Sequence, residues 1–206
     1  VAMIEDAAAA MKQIAKSGKK ILFVATKKQA KSIVAEAAQK LDMPYITERW
    51  PGGLLTNFAT IRKSIKKMDG IDKMKVDGTF DSLSKRERLQ ISRTREKLEI
   101  NLGSIVKMNR MPEAIFIIDI NKEHIALKES TKLGIRSFAL TDTNTNPANV
   151  HYPIPGNDDA SKSIAYIIDV ISKAVAEGLE ERAEDQNMKA LEKQKKAKKI
   201  SEEAKK

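Results

Sequence analysis

The sequence predicts an α/β protein built on a parallel sheet, and three observations carry that prediction. Residues 21–25 and 114–118 are short, continuous apolar runs of the kind found in strands buried on both faces. Each run is followed by a helical pattern, and strands alternating with such helices imply right-handed crossovers that cover both sides of the sheet. Between the two runs, residues 54–110 abandon this alternation for heptad spacing.

Residues 4–14 already read as helix. After the first strand, Ala30, Ile33, Val34, Ala37 and Leu41 recur at three- and four-residue spacing until Pro44 stops the helix. Residues 45–48 read as the next strand. Leu54, Phe58, Ile61, Ile65 and Met68 then alternate at four and three, which is heptad spacing. Ile91, Leu98, Leu102 and Ile105 form a second arm in the same register, with Arg95 as a polar interruption. Between the arms, Asp69-Gly70 and residues 76–79 read as turns. Ser84 followed by Glu87 is a capping box that starts the second arm, with Leu83 as its staple. An antiparallel helical hairpin inserted between two strands is expected.

The alternation resumes after Pro112. Residues 114–118 form a strand, 124–133 a helix ended by Gly134 in the αL conformation, and 137–140 a further strand. Asn157 or Asp158 is expected to cap a long helix carrying Ile164, Ile167, Ile168, Ile171 and Val175. The expected organisation is a discontinuous α/β domain (1–53 and 111–180), a hairpin insertion (54–110) and a basic C-terminal tail (181–206). The tail is too poor in apolar residues to bury a core, which leaves a solvated helix and a disordered segment both open.

Composition narrows the chemistry. The 206 residues contain no cysteine, which excludes thiol catalysis, cysteine-ligated zinc and disulfide frameworks. The apolar runs are too short to span a bilayer, and a cytoplasmic setting without membrane contact is expected. Val1 opens a sequence that reads as beginning inside a fold. The net charge of +10 is unevenly placed: residues 57–110 hold fourteen Lys/Arg against seven Asp/Glu, and 186–206 hold eight against three. The basicity belongs to two appendages on a nearly neutral core, so polyanions are the expected partners.

Catalytic signals are weak. The loop after the first strand, Thr26-Lys27-Lys28-Gln29, lacks the glycines of a phosphate cradle, and no Walker pattern occurs. Asp119, Glu123 and His124, joined by Asp142 or Asp158, are conceivable metal ligands. Strand ends and a helix cap explain the aspartates more simply, and neither His124 nor His151 stands in a recognised ligand spacing. No serine sits in a nucleophile elbow. Lys27 and Lys28 fall where a helix begins, a place suited to phosphate contact, and an ordinary solvated lysine pair remains the alternative.

Residues 49–57 combine the only tryptophan with a proline and paired glycines directly before the heptads. Trp50 and the glycines are explained by a structural elbow, while Arg49 and Asn57 are open to RNA contact. Along the hairpin, Arg62, Lys63, Lys66 and Lys67 on one arm and Lys85, Arg86, Arg88, Arg93 and Arg95 on the other outnumber the acids beside them. Solvated coiled coils mix signs more evenly. With few aromatics interleaved, these charges suit the backbone of folded RNA better than a stacked single strand.

Three segments carry a family resemblance. Residues 49–57 resemble an RW-x-GG-x-LTN motif. Residues 112–119, with Lys122, Glu123, His124, Ile125, Ala126 and Glu129, resemble a second signature, and residues 141–144 with 152–160 a third. Their order around a helical hairpin is similar to that in the bacterial-type family of the second small-subunit ribosomal protein, over about residues 1–180. The resemblance implies a flavodoxin-like three-layer domain with a protruding coiled coil. It also implies binding to 16S rRNA and contact with neighbouring small-subunit proteins, including the first, mRNA-capturing one. It implies no catalytic residue, cofactor, metal or small-molecule substrate. Family members have about forty further residues before the position of Val1. The competing readings are an α/β enzyme acting on a phosphorylated small molecule through Asp119, Asp142 and Lys27, and a coiled-coil adaptor that binds only protein.

Overall fold

The computed structural model describes residues 2–203, with side chains described for 2–188. Its five strands are β1 (Ile21–Val24), β2 (Tyr45–Ile46), β3 (Ala114–Ile118), β4 (Arg136–Thr141) and β5 (Tyr152–Pro155). All neighbouring pairs are parallel, in the order β2-β1-β3-β4-β5. That is a doubly wound order, in which the chain reverses direction between β1 and β3.

Strand alternation divides the core into two layers. Ile21, Phe23, Phe116, Phe138, Leu140 and Ile154 point to one face, where α1 (Ala2–Lys16), α2 (Lys28–Lys40) and the first half of α6 (Ser161–Glu203) cover them. Register aligns Phe23, Phe116, Phe138 and Tyr152 in one row across four strands, with Phe138 and Tyr152 stacked at 4.6 Å. Leu22, Val24, Ile115, Ile117 and Ala139 point to the other face. There they meet α5 (His124–Lys132), the loop carrying Trp50, Leu54 and Leu55, and the base of the pair α3 (Phe58–Val76) and α4 (Lys85–Leu102).

The α3–α4 pair runs antiparallel. Asp72 meets Arg95 near the middle, whereas Arg62 reaches the Met108 carbonyl near the base. The Ser84–Glu87 capping box is formed, with each residue's side chain accepting the other's backbone N–H. Gly134 ends α5 at a φ of +66°.

Four expectations need correction or addition. Asp69-Gly70 is not a turn: α3 runs through it, because Ile65, Met68 and Ile71 continue one buried face across the glycine. The second strand stops at Ile46, since β1 ends at Val24 and offers no partner beyond it. β5 carries a further strand that alternation did not reveal, as its two prolines remove ladder donors and suit a sheet edge. Neither Asn157 nor Asp158 caps α6, which starts at Ser161. The Asn157 carboxamide oxygen instead accepts the N–H groups of Asp159 and Ala160 in the approach turn.

α6 continues as one helix of 43 residues through the segment expected to be a tail. At about 1.5 Å per residue it is roughly 65 Å long, and the last buried position among the described side chains is Gly178. Gly178 lets α6 press directly on the backbone of α1 at Lys12. Lys12 and Lys16 pair with Glu177 and Glu181 across the same contact, and these ammonium groups draw the Glu181 carboxyl down to about 2.

Candidate nucleic-acid interface

In open α/β sheets, ligands enter the crevice at the carboxyl ends of the strands where the winding reverses. Here that crevice lies between Thr26-Lys27 after β1 and Asp119 after β3, and the protein's own side chains occupy it. The Lys27 ammonium lies 2.7 Å from Asp158, 2.8 Å from Asp159 and 3.2 Å from Asp119. Asp158 has no exposed surface, and the Lys27 side chain is only 15% exposed. Burial works against the ammonium, but the hydrogen bonds to the three aspartates outweigh it and raise the pKa above the ordinary lysine value. Beside it, Lys122 donates to the Thr26 carbonyl and the Thr26 hydroxyl donates to the buried carboxyl of Glu123. Burial pushes the Glu123 pKa up.

Lys27 is therefore committed to carboxylates, unlike its neighbour. Lys28, the first residue of α2, is exposed and makes no ion pair among the described residues. Asp142, Asp158 and Asp159 each bring a carboxylate oxygen within 4.8 Å of the others, with Lys27 as a resident cation. His124 stands outside that group and instead lies against the Asn121 carbonyl. His151 is held by Ser137, whose backbone N–H donates to its Nδ1.

The loop of residues 49–57 wraps around one carboxylate, that of Glu129 on α5. The Trp50 indole N–H donates to it at 3.1 Å, as do the backbone N–H groups of Gly53 at 2.7 Å, Leu55 at 3.0 Å and Thr56 at 3.1 Å. Gly53 adopts a φ of +83°, which turns its N–H and the next ones inward. Glu129 is 8% exposed, and that burial alone would raise its pKa. The indole and backbone donors outweigh it and hold the carboxyl below its ordinary value. Trp50 and Gly53 of the motif thus anchor the base of α3, while Arg49 and Asn57 remain exposed at either end of the loop. An acid on the buried face of an amphipathic helix was the available signal for Glu129.

The hairpin cations fall into two groups. Arg95 forks onto Asp72 and also meets Glu99, which accounts for the polar interruption in the heptads. Arg62 is directed to the Met108 carbonyl, and Arg88 lies 3.9 Å from Asp81. By contrast, Lys63, Lys66, Lys67, Lys85, Arg86 and Arg93 are exposed and make no ion pair among the described residues. Lys63, Lys66 and Lys67 are three and four apart, so they share one face of α3. On the sheet domain, Lys12, Lys16, Lys19, Lys20, Lys27 and Lys31 are each matched to a carboxylate.

The crevice is thus closed by internal ion pairs, and the inserted helical pair carries cations that are unmatched among the described residues. A family model described as Ribosomal protein S2 matches residues 1–178. The small ribosomal subunit protein uS2 of Flavobacterium johnsoniae is 61% identical over 191 residues, covering 93% of this chain and 75% of the relative. That of Phocaeicola vulgatus is also 61% identical, covering 92% and 68%, and that of Christiangramia forsetii 61%, covering 88% and 60%. The chain belongs to the ribosomal protein S2 family and is, like its members, a non-enzymatic ribosomal constituent.

Proposed function

We propose that this chain binds small-subunit rRNA through a coiled-coil hairpin formed by α3 and α4, held out from a flavodoxin-like sheet domain. Lys28, Arg49 and Asn57 extend that surface toward the sheet. The supporting observation is a contrast in pairing among the described residues: Lys63, Lys66 and Lys67 face solvent unmatched, whereas six lysines of the sheet domain are held by carboxylates. Unmatched cations in a row suit the phosphates of an A-form helix, which proteins recognise by shape and backbone contact. Arg62, Arg88 and Arg95 act mainly within the hairpin, Arg95 by fastening the two arms. The sheet domain offers a surface to neighbouring small-subunit proteins, including the mRNA-capturing one that the family resemblance implies.

The test is quantitative co-sedimentation of the full chain with small subunits lacking this protein. Lys63→Glu, Lys66→Glu and Lys67→Glu together are expected to reduce incorporation at least tenfold and to leave the melting temperature within a few degrees. Undiminished incorporation would remove the hairpin from the proposed interface.

A further inference from the structure

A second cationic surface lies away from the hairpin, in a groove of about 520 Å³ between α5 and the loop that follows β4. Its size is that of a small-ligand site. His124, Lys128 and Lys132 stand four residues apart along α5, so all three line one face of the helix. Neither lysine makes an ion pair among the described residues, and no carboxylate lines the groove. The acid next to Lys128 in sequence, Glu129, is turned away into the tryptophan loop.

The other walls are suited to a base. Ile120 and Leu127 supply apolar surface at the bottom. A carbonyl can only accept, so the His124 Nδ1 donates to Asn121 and the imidazole is fixed in orientation while its ring stays exposed. Asn146 uses its side-chain oxygen on the Ala148 N–H, which leaves its amide protons available, and the Asn149 amide stands opposite. Stacking on an aromatic face, amides at the base edge and ammonium groups for phosphate are the three elements by which proteins hold splayed-out RNA bases. Ile120 and Leu127 also belong to the core layer containing Leu54 and Leu102, so the groove and the hairpin base lie on the same side of the sheet.

We propose that this groove receives one unpaired nucleotide of the same RNA, with its base against His124 and its flanking phosphates on Lys128 and Lys132. The inference rests on the RNA-binding reading above and adds a second, separate contact to it.

The experiment is photocrosslinking of the full chain to small-subunit rRNA containing 4-thiouridine, followed by peptide mapping. A crosslink in α5 is expected. Lys128→Gln with Lys132→Gln should reduce it at least tenfold and leave hairpin crosslinks in place; both residues are exposed, so the fold is retained. Removing two phosphate contacts should also lower the log–log salt slope by about 1.5. Crosslinks confined to the hairpin, with the double variant binding as the parent does, would overturn the groove and spare the hairpin. Absence of any crosslink would overturn both. Binding of uridine monophosphate as tight as that of the RNA, lost in the double variant, would make the groove a metabolite site and end the proposal.

Discussion

Glu129 shows how one side chain converts a motif into a fixed geometry. Its carboxylate gathers an indole and three backbone donors from residues 50–56, so the loop that launches α3 is tied to α5. Truncation by Glu129→Ala is expected to cost about 3 kcal/mol, because buried donors lose a charged acceptor and are left unpaired. The pH dependence follows from the direction of the shift. A carboxyl whose folded pKa lies below the unfolded one contributes all its stability above the unfolded value, about 4.3. That contribution is lost as pH falls through the unfolded value toward the folded one. Urea titrations from pH 7 to pH 3 should therefore show the parent chain losing more stability than Glu129→Ala. Parallel curves would deny Glu129 this role. Little of it was legible beforehand, since Glu129 lies about eighty residues from the loop and only tertiary contact brings its donors together. Lys27 is the converse case: its sequence position suggested phosphate, but the carboxylates that claim it come from two distant loops.

Elements were far more legible than their ends. Periodicity placed α2, α3, α4 and the buried part of α6, because burial on one side imposes a spacing that survives in the sequence, while α5 was marked by its αL terminator Gly134. Turn chemistry misled at Asp69-Gly70, where three buried residues on one helical face override a local preference worth roughly 1 kcal/mol. The two helical glycines now separate by environment. A methyl group at Gly178 would fall on the Lys12 carbonyl oxygen and lie 3.1 Å from the Ala15 Cβ, whereas one at Gly70 meets nothing within 4 Å. Gly178→Ala is expected to destabilise by about 1–3 kcal/mol through forced separation of α1 and α6. Gly70→Ala should stabilise by about 0.5–1 kcal/mol through the helix backbone alone. Thermal denaturation of the two variants checks both signs, and a stabilising Gly178→Ala would mean that the two helices do not meet as described.

At the scale of the molecule, the informative quantity is where charge is left unmatched. Counting residues reveals the surplus between residues 57 and 110, but a count cannot tell a committed cation from an available one. Arg95 and Lys63 look alike in sequence, yet one is forked onto Asp72 and the other faces solvent. Phosphate contact releases counterions, so each cation that neutralises a phosphate adds about 0.7 to 0.9 to the log–log salt slope. Six such contacts give a slope of about −4 to −5. If availability rather than total charge sets the interface, position must decide the effect of a substitution. Lys12→Gln with Lys16→Gln removes two positive charges that Glu177 and Glu181 already occupy, and the slope should stay where it was. Lys63→Gln with Lys66→Gln removes the same formal charge from the hairpin, and the slope should become shallower by about 1.5. Filter binding to small-subunit rRNA at three or more salt concentrations separates the cases. Equal loss of slope in both double variants would show the RNA responding to net charge, and the distinction between matched and available cations would then have no bearing on binding.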